Sequence, residues 1–132
     1  MGTKTKKLGE AELEIMQVIW NSDAPVSSSY ILKNLQGRKW QLSTLMTSLS
    51  RLSDKGFVVC DRSTGSNLYM AVVSENGYKA KESKHFLERM YDSSIQNLVA
   101  TLYGNQVIQD SDLDELRKFL DDIDAKHSEE GK

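Results

Sequence analysis

One cysteine, Cys60, and one proline, Pro25, occur among the 132 residues of the sequence. A single thiol excludes a disulfide within the chain and is typical of a reducing compartment, so we expect a cytoplasmic protein. No run approaches the ~18 consecutive apolar residues that a membrane span needs, and we expect neither membrane insertion nor a signal peptide. A hydrophobic content of 39% and a mean hydropathy of -0.50 predict a soluble globular chain.

The residues of a catalytic or metal site are also scarce. The two histidines, His85 and His127, have no metal-ligand spacing, and the glycines are scattered rather than gathered in a phosphate-binding loop. Cys60 lies in a strand-like run, where packing is its expected role. A solvated helix end explains the acidic cluster at 121–124. We therefore expect no enzyme activity, no cofactor and no metal ion.

The charge of the chain is divided unevenly. Residues 1–73 carry nine Lys and Arg against six Asp and Glu, a net charge of +3. The remainder carries eight against thirteen, a net charge of -5. A basic first part and an acidic second part indicate different partners, and nucleic-acid phosphates suit the first.

Two helices are predicted in the first part of the chain. They extend from about Glu10 to Asn21 and from Ser27 to about Gln36, and Pro25 breaks the chain between them. The serines at 27–29 are either a plain N-cap or groups near a DNA phosphate. The residues expected to face inward are Leu13, Ile15, Met16, Ile19 and Trp20 in the first helix and Tyr30, Ile31 and Leu35 in the second.

A basic link at 37–40 follows the second helix, which Gly37 is expected to end. Trp40, the last residue of the link, either packs against the core or closes over the backbone. The sequence leaves both alternatives open.

The stretch from Gln41 to Val73 organises the chain. Within it Leu45, Leu49 and Leu52 recur at helical spacing and form one apolar stripe. The other side carries small hydroxyl residues and one arginine rather than the paired charges of a solvated helix, which favours a face pressed into a groove of DNA. Gly56 is the expected helix stop.

Two β-type runs, 57–60 and 68–73, follow this helix and are separated by turn-forming residues at 61–67. Helix, strand, loop and strand in this order form the second half of a winged helix-turn-helix. The alternative is a small α+β packing unit without a partner. The residues expected to contact double-stranded DNA are Lys39, Ser43, Thr44, Met46, Thr47, Ser50, Arg51, Arg62 and Asn67.

From Ser74 onward the pattern is helical. One helix is predicted over 75–91, a second is opened by Ser93 or Ser94, and a third begins near Asp110. Ser111 and Asp114 imitate a capping box at the start of the third helix.

Three short amphipathic helices bury too little surface for an independent core. We expect them to pack against a second copy of the chain in a homodimer, and the alternative is that they fold back on the N-terminal domain. The expected dimer contacts are Leu87, Met90, Leu98, Val99, Leu102, Leu113, Leu116, Leu120 and Ile123.

The predicted fold class is mainly α with a small β-hairpin, an N-terminal winged helix-turn-helix plus a C-terminal helical dimerisation domain. We divide the chain into a flexible basic tail (1–7), a winged-helix DNA-binding domain (8–73), a helical dimerisation domain (74–126) and a charged tail (127–132).

With these residues placed, the chain resembles the penicillinase and methicillin-resistance repressor family, whose relatives include the copper-responsive CopY repressors. The resemblance covers Leu8 to Ile123. The segments that carry it are ELEIMQVIW at 12–20, the helix at 44–58 with its ending RLSDKGFV, Tyr69, KHFLERMY at 84–91, Leu98-Val99 and LDELRKFLDDI at 113–123.

This resemblance implies a homodimeric repressor that binds inverted repeats in promoters of β-lactam or other antibiotic-resistance genes. In the β-lactam branch, a membrane sensor with a metalloprotease domain leads to cleavage of the repressor, typically at an Asn-Phe bond in the second C-terminal helix. The matching residues here are Thr101 and Leu102, which differ from that pair. The paired Cys-x-Cys motifs of the copper branch are absent, so direct copper sensing is not expected.

The recognition helix also departs from the family, whose members often carry basic residues at the positions of Ser43, Met46 or Ser50. The resemblance therefore implies weaker or differently specified operator binding. Two other functions are compatible with the same fold. One is a winged-helix regulator released by a small ligand bound between the domains, and the other is a protein-interaction module that has lost DNA binding.

Overall fold

The computed structural model describes residues 7–36 and 39–130, without the side chain of Glu130. Most of the predicted basic tail and the first two residues of the basic link therefore lie outside the described residues. The elements are α1 (Glu10–Trp20), β1 (Val26–Ser27), α2 (Ser28–Asn34), α3 (Leu42–Asp54), β2 (Val58–Asp61), β3 (Leu68–Ala71), α4 (Glu75–Tyr91), α5 (Ile95–Gly104) and α6 (Asp110–Glu130). This order confirms the predicted fold class of helices with a small antiparallel sheet.

The hydrophobic core of the N-terminal unit lies between the first three helices and the sheet. Each helix is amphipathic and turns its apolar side toward this core, where burial of aliphatic side chains is the main source of stability. The largest fully buried side chains are Ile15, Met16, Ile31, Leu45, Leu49 and Leu52.

The second helix is shorter than predicted, and one of its residues faces the other way. It ends at Asn34, and Leu35 adopts an extended backbone at the C-cap. Tyr30 was expected to face inward but is 44% exposed, because in so short a helix the neighbouring Ile31 takes the core position. The prediction for Tyr30 is therefore wrong.

The sheet has three strands in the order β1-β3-β2, and both pairs are antiparallel. The hairpin of β2 and β3 was predicted, with Val59 opposite Met70 and Cys60 opposite Tyr69. The third strand, β1, was not predicted, since its two residues are too few to show alternation. It pairs Val26 with Tyr69 and closes the free edge of β3.

Local hydrogen bonds define the ends of these helices. The hydroxyl oxygen of Ser27 accepts from the backbone N–H of Tyr30 at 3.1 Å, the geometry of a plain N-cap. Beyond the C-terminal end of α3, Gly56 has a φ of 85° and stops the helix. An L side chain rarely adopts that conformation, so glycine suits the predicted helix stop.

An aromatic cluster joins the start of α4 to the N-terminal core. The Tyr78 ring lies 5.7 Å from the Phe57 ring and 6.0 Å from the Trp20 ring, measured between centroids. The indole N–H of Trp20 also donates to the carbonyl of Val73 at 2.8 Å. The two compact units of the chain accordingly divide between Ser83 and Lys84, inside α4, and not at the residue 74 boundary taken from the sequence.

The C-terminal unit contains the end of α4 together with α5 and α6. Ser94, one of the two predicted candidates, caps α5 by accepting from the N–H of Asn97. No residue described in this unit is buried. Its apolar side chains therefore do not form an enclosed core within one copy of the chain.

The α6 helix begins at Asp110, as predicted, but its cap and its end differ from the prediction. The Asp112 carboxylate accepts from the N–H of Gln109 at 2.8 Å, whereas Asp114 pairs with Arg117 at 2.7 Å. The cap therefore lies two residues earlier than the predicted Ser111 capping box. The helix also continues to Glu130, so the segment predicted as a charged tail is helical through that residue.

Candidate nucleic-acid interface

The third helix has two chemically distinct sides. Leu45, Leu49 and Leu52 are buried on one side, as the apolar stripe predicts. The other side is exposed to solvent and holds all six predicted DNA-contacting residues of the helix. These are Ser43, Thr44, Met46, Thr47, Ser50 and Arg51.

A leucine that was not predicted as a contact lies on the exposed side as well. Leu42, the first residue of α3, is 52% exposed, and Met46 one turn later is 37% exposed. Spacing alone did not signal the exposure of Leu42, because it precedes Leu45 by three residues and Leu49 by seven, as a member of their stripe would. The exposed surface of α3 is therefore composed mainly of hydroxyl and apolar groups, with one positive charge from Arg51 and one negative charge from Asp54.

The C-terminal end of α3 is held against the start of α1. The ammonium group of Lys55 contacts Glu12 Oε1 at 2.7 Å and donates to the carbonyl of Lys7 at 3.2 Å. The same Glu12 oxygen accepts from the N–H of Gly9. Partial burial raises the pKa of Glu12, but the hydrogen bonds from Lys55 and Gly9 outweigh burial and hold the pKa below its ordinary value. These contacts of Lys55 therefore fix the C-terminal end of α3 relative to the start of α1.

The loop between β2 and β3, which we call the wing, is shaped by its own hydrogen bonds. Asp61 accepts from the N–H of Ser63 at 2.9 Å, and this bond lowers the pKa of the Asp61 carboxyl. Gly65 adopts a φ of 86° in the following turn. The two predicted contact residues of the wing, Arg62 and Asn67, are exposed at its ends.

The residues before α3 separate into one exposed and one packed side chain. Lys39 is exposed, as a phosphate contact requires. Trp40 is half-buried against the core, and its indole N–H donates to Glu14 Oε1 at 3.3 Å. This decides between the two alternatives for Trp40 in favour of core packing.

Cys60 serves the packing of the sheet. It is half-buried against the core and lies opposite Tyr69 across the β2–β3 pair. Burial, together with the neighbouring Cys60 thiol, raises the pKa of the Tyr69 phenol.

Residues 7–36 and 39–130 contain neither a metal-ion cluster nor a membrane-spanning helix. No three His, Cys, Asp or Glu side chains in these segments are arranged to share a metal ion. Among the helices described there, none combines the length and the apolar character that crossing a membrane requires.

The residues predicted to form the dimer lie on the three C-terminal helices. Met90, Leu116 and Leu120 are exposed, and the other six are half-buried. Large exposed apolar side chains that were not in the prediction accompany them, namely Phe86, Ile95, Tyr103, Val107 and Phe119. Thr101 and Leu102, which match the bond cleaved in the β-lactam branch of the family, lie inside α5. Thr101 is exposed and Leu102 is half-buried.

One solved structure is similar to part of this chain. It is the monomeric form of BlaI from Bacillus licheniformis, solved in solution in complex with the blaP half-operator. It has 29% sequence identity and a TM-score of 0.49, and the match covers 57% of this chain and 92% of that one.

Sequence similarity to two curated relatives extends over nearly the whole chain. The methicillin resistance regulatory protein MecI of Staphylococcus aureus strain N315 is 31% identical over 91% of this chain and 98% of its own. The penicillinase repressor of Bacillus licheniformis is 27% identical over 90% and 93%. These relatives are regulatory proteins and not enzymes, as the sequence predicts for this chain. The family model of the penicillinase repressor matches residues 8–122, and the chain therefore belongs to the penicillinase repressor family.

Proposed function

We propose that this chain is a transcriptional repressor that binds operator DNA through α3 and the wing. The observation that carries the proposal is the division of α3 into a buried leucine side and an exposed side free of core contacts. A helix held in this way can enter the major groove, which is wide enough to admit it. Membership of the penicillinase repressor family supports the same function.

The exposed residues divide into two roles. Three exposed positive side chains would contact phosphates and position the protein, namely Lys39 before α3, Arg51 within it and Arg62 in the wing. Side chains in the first half of α3 would contact base edges, since that half of a recognition helix lies deepest in the groove. Ser43, Thr44 and Thr47 supply hydroxyl and methyl groups there, and Asn67 adds an amide from the wing.

We also propose that the protein is a homodimer joined through its C-terminal unit. The support is the lack of any buried residue among those described from Lys84 onward, although this unit is rich in apolar side chains. Apolar side chains that remain exposed in one copy gain free energy when a second copy covers them. Two linked α3 helices would then bind an inverted repeat, one half-site for each copy.

We propose further that repression ends when a protease cleaves the C-terminal unit. The partner in this step would be a membrane sensor protease or its effector. Thr101-Leu102 lies within a hydrogen-bonded helix, which must open before a protease can bind the chain in extended form. Opening of α5 costs little in one copy, because none of its residues is buried. The regulated genes would be an operon for resistance to a β-lactam or another antibiotic, and the repressor would act in the cytoplasm.

A protein-interaction module remains the second candidate function. The observation that favours it is the small charge on the exposed side of α3, where Arg51 is accompanied by the acidic Asp54. Weak phosphate attraction is compatible with a surface that binds protein. A partner complex insensitive to salt, without DNA binding, would identify this function.

The test is a gel-shift titration against DNA from the gene's own promoter at two salt concentrations. Binding that weakens steeply with salt is expected, because phosphate contacts release counterions. Arg51→Gln should weaken binding and reduce the salt slope by about 1, whereas Lys118→Gln, which removes one charge from an exposed residue of α6, should change neither.

The outcomes separate the candidates. A dimeric chain that fails to bind promoter DNA at low salt would contradict the repressor and support the interaction module. Release of DNA by a small molecule, with the chain intact, would contradict proteolytic relief and identify a ligand-released regulator.

A further inference from the structure

Two large apolar side chains are exposed where α3 begins. Leu42 is 52% exposed and Met46 is 37% exposed, whereas the other apolar residues of the helix are at most 1% exposed. Because Leu42 and Met46 are four residues apart, they lie on one side of the helix as neighbours. They form an apolar edge on the surface proposed to bind DNA, and they contribute little to the core.

A third side chain adds apolar character to the same half of the helix. The hydroxyl group of Thr47 donates to the carbonyl oxygen of Ser43 at 3.1 Å. This hydrogen bond uses the only proton that the hydroxyl can donate. Thr47 therefore has a methyl group and oxygen lone pairs left for a ligand.

The bases differ in what they offer to such a surface. Guanine is bound by Arg or Lys and adenine by Asn or Gln, whereas thymine offers a C5 methyl group to apolar side chains. Residues 42–50 include none of those four polar residue types. Among the base edges of the major groove, the methyl group of thymine fits these side chains best.

We infer that Leu42 and Met46 select thymine in the operator by contacting its C5 methyl group. This inference rests on the proposed function, because the apolar edge meets bases only when α3 enters the major groove. Both residues lie in the N-terminal part of α3, from which recognition helices contact base edges. Loss of one buried methyl contact is expected to weaken binding about fourfold, which corresponds to about 0.8 kcal/mol.

The experiment starts with selection of duplexes from a random DNA library by the full chain. The selected duplex is then synthesised with deoxyuridine replacing thymidine at one position at a time, because uracil lacks only the methyl group. We expect about fourfold weaker binding at the positions that contact Leu42 or Met46. The double variant Leu42→Ala with Met46→Ala should bind the thymidine and deoxyuridine duplexes equally.

A matched control separates this effect from a general loss of apolar surface. Val72→Ala shortens a side chain that is 62% exposed in the N-terminal unit, outside α3 and the wing, and it should retain the full preference for thymidine. Thermal melting of each variant shows whether it is folded. The exposure of Leu42 and Met46 predicts that their double variant melts close to the unchanged protein.

Each remaining outcome has a definite meaning. Equal affinity of the unchanged protein for both duplexes at every position overturns the inference and leaves the proposed function standing. Full sensitivity to deoxyuridine in the double variant also overturns it, because another residue then contacts the methyl group. If no duplex is selected, the proposed function fails and the inference fails with it.

Discussion

The phenol oxygen of Tyr78 accepts a hydrogen bond of 2.8 Å from the backbone N–H of Leu8. This contact connects the start of α4 with the residue before α1, across most of the N-terminal unit. The N–H of Leu8 precedes the helix and has no partner in a helical ladder, while its side chain is buried. Tyr78 therefore belongs to the fold of the N-terminal unit, although the sequence pattern assigns it to the C-terminal helices.

We predict that Tyr78→Phe lowers the free energy of unfolding of the N-terminal unit by about 1–2 kcal/mol. The substitution keeps the aromatic contacts but removes the acceptor of the Leu8 N–H. Tyr103→Phe is the control, because it removes an exposed hydrogen bond to Asp110 and should change stability less. Urea denaturation measures both, and equal losses would contradict this role of Tyr78.

A fragment that ends at Ser83 should be more stable than one that ends at Val73. The longer fragment retains the Tyr78 ring, which packs against Trp20 and Phe57, and the shorter one exposes those two rings. Thermal unfolding of the two fragments makes the comparison. Indistinguishable melting temperatures would place the domain boundary at residue 74 after all.

The contact of Glu12 with Lys55 should make stability depend on pH in the acidic range. The pKa of Glu12 is lowered in the folded chain, so its stabilising effect is present above the ordinary value of 4.5 and is lost as the pH falls through the folded pKa. Glu12→Gln should therefore cost about 1 kcal/mol at neutral pH and little in acid.

The control for this prediction is Glu10→Gln, which removes an acidic charge from the same helical turn. Denaturation at a series of pH values gives the difference in stability between each variant and the unchanged protein. A Glu12→Gln difference that stays constant down to strongly acidic pH would show that ionisation of Glu12 is not its cause.

Met46→Arg should strengthen operator binding about tenfold, because it adds a guanidinium group to a recognition surface that has one arginine. Met70→Arg adds the same group to a methionine of similar exposure on β3 and serves as the matched control. Gel-shift titration measures both variants. If Met46→Arg brings no gain, the small charge of α3 does not limit affinity.

Leu116→Asp should convert a dimer into monomers that bind operator poorly. The aspartate places a charge on the apolar stripe of α6, where a second copy would have to bury it, and loss of the linked half-site reduces affinity steeply. Ala125→Asp adds the same charge to the opposite side of α6 and should remain dimeric. Analytical ultracentrifugation distinguishes the two species, and a dimeric Leu116→Asp variant would place the interface elsewhere.

The features predicted correctly from the sequence depend on neighbours along the chain. The leucine stripe of α3, the stop at Gly56 and the bounds of α4 all follow from helical spacing and from the conformational range of glycine. The exposed positions of Ser43, Thr47 and the other α3 contacts follow from the same periodicity.

The features missed depend on contacts between distant segments. β1 exists because Val26 meets Tyr69 of β3, and no local pattern indicates that pairing. The place of Tyr78 in the N-terminal unit depends in the same way on Leu8 and Phe57. The hydrogen bond at the start of α6 joins Gln109 to Asp112, whereas the predicted capping box joined Ser111 to Asp114. Neighbouring polar residues differ too little in intrinsic preference for the sequence to separate these two pairs.

The small charge of α3 also affects how a repressor of this kind distributes itself along a chromosome. Attraction to DNA of arbitrary sequence comes from phosphate contacts by lysine and arginine, and α3 has one such residue, Arg51. A genome contains about 10⁶–10⁹ competing sites, so occupancy of the target depends on the ratio of specific to random affinity. Under the proposed function, a recognition helix with one such residue would leave less of the protein on random sequence, so fewer copies would be needed to occupy one promoter.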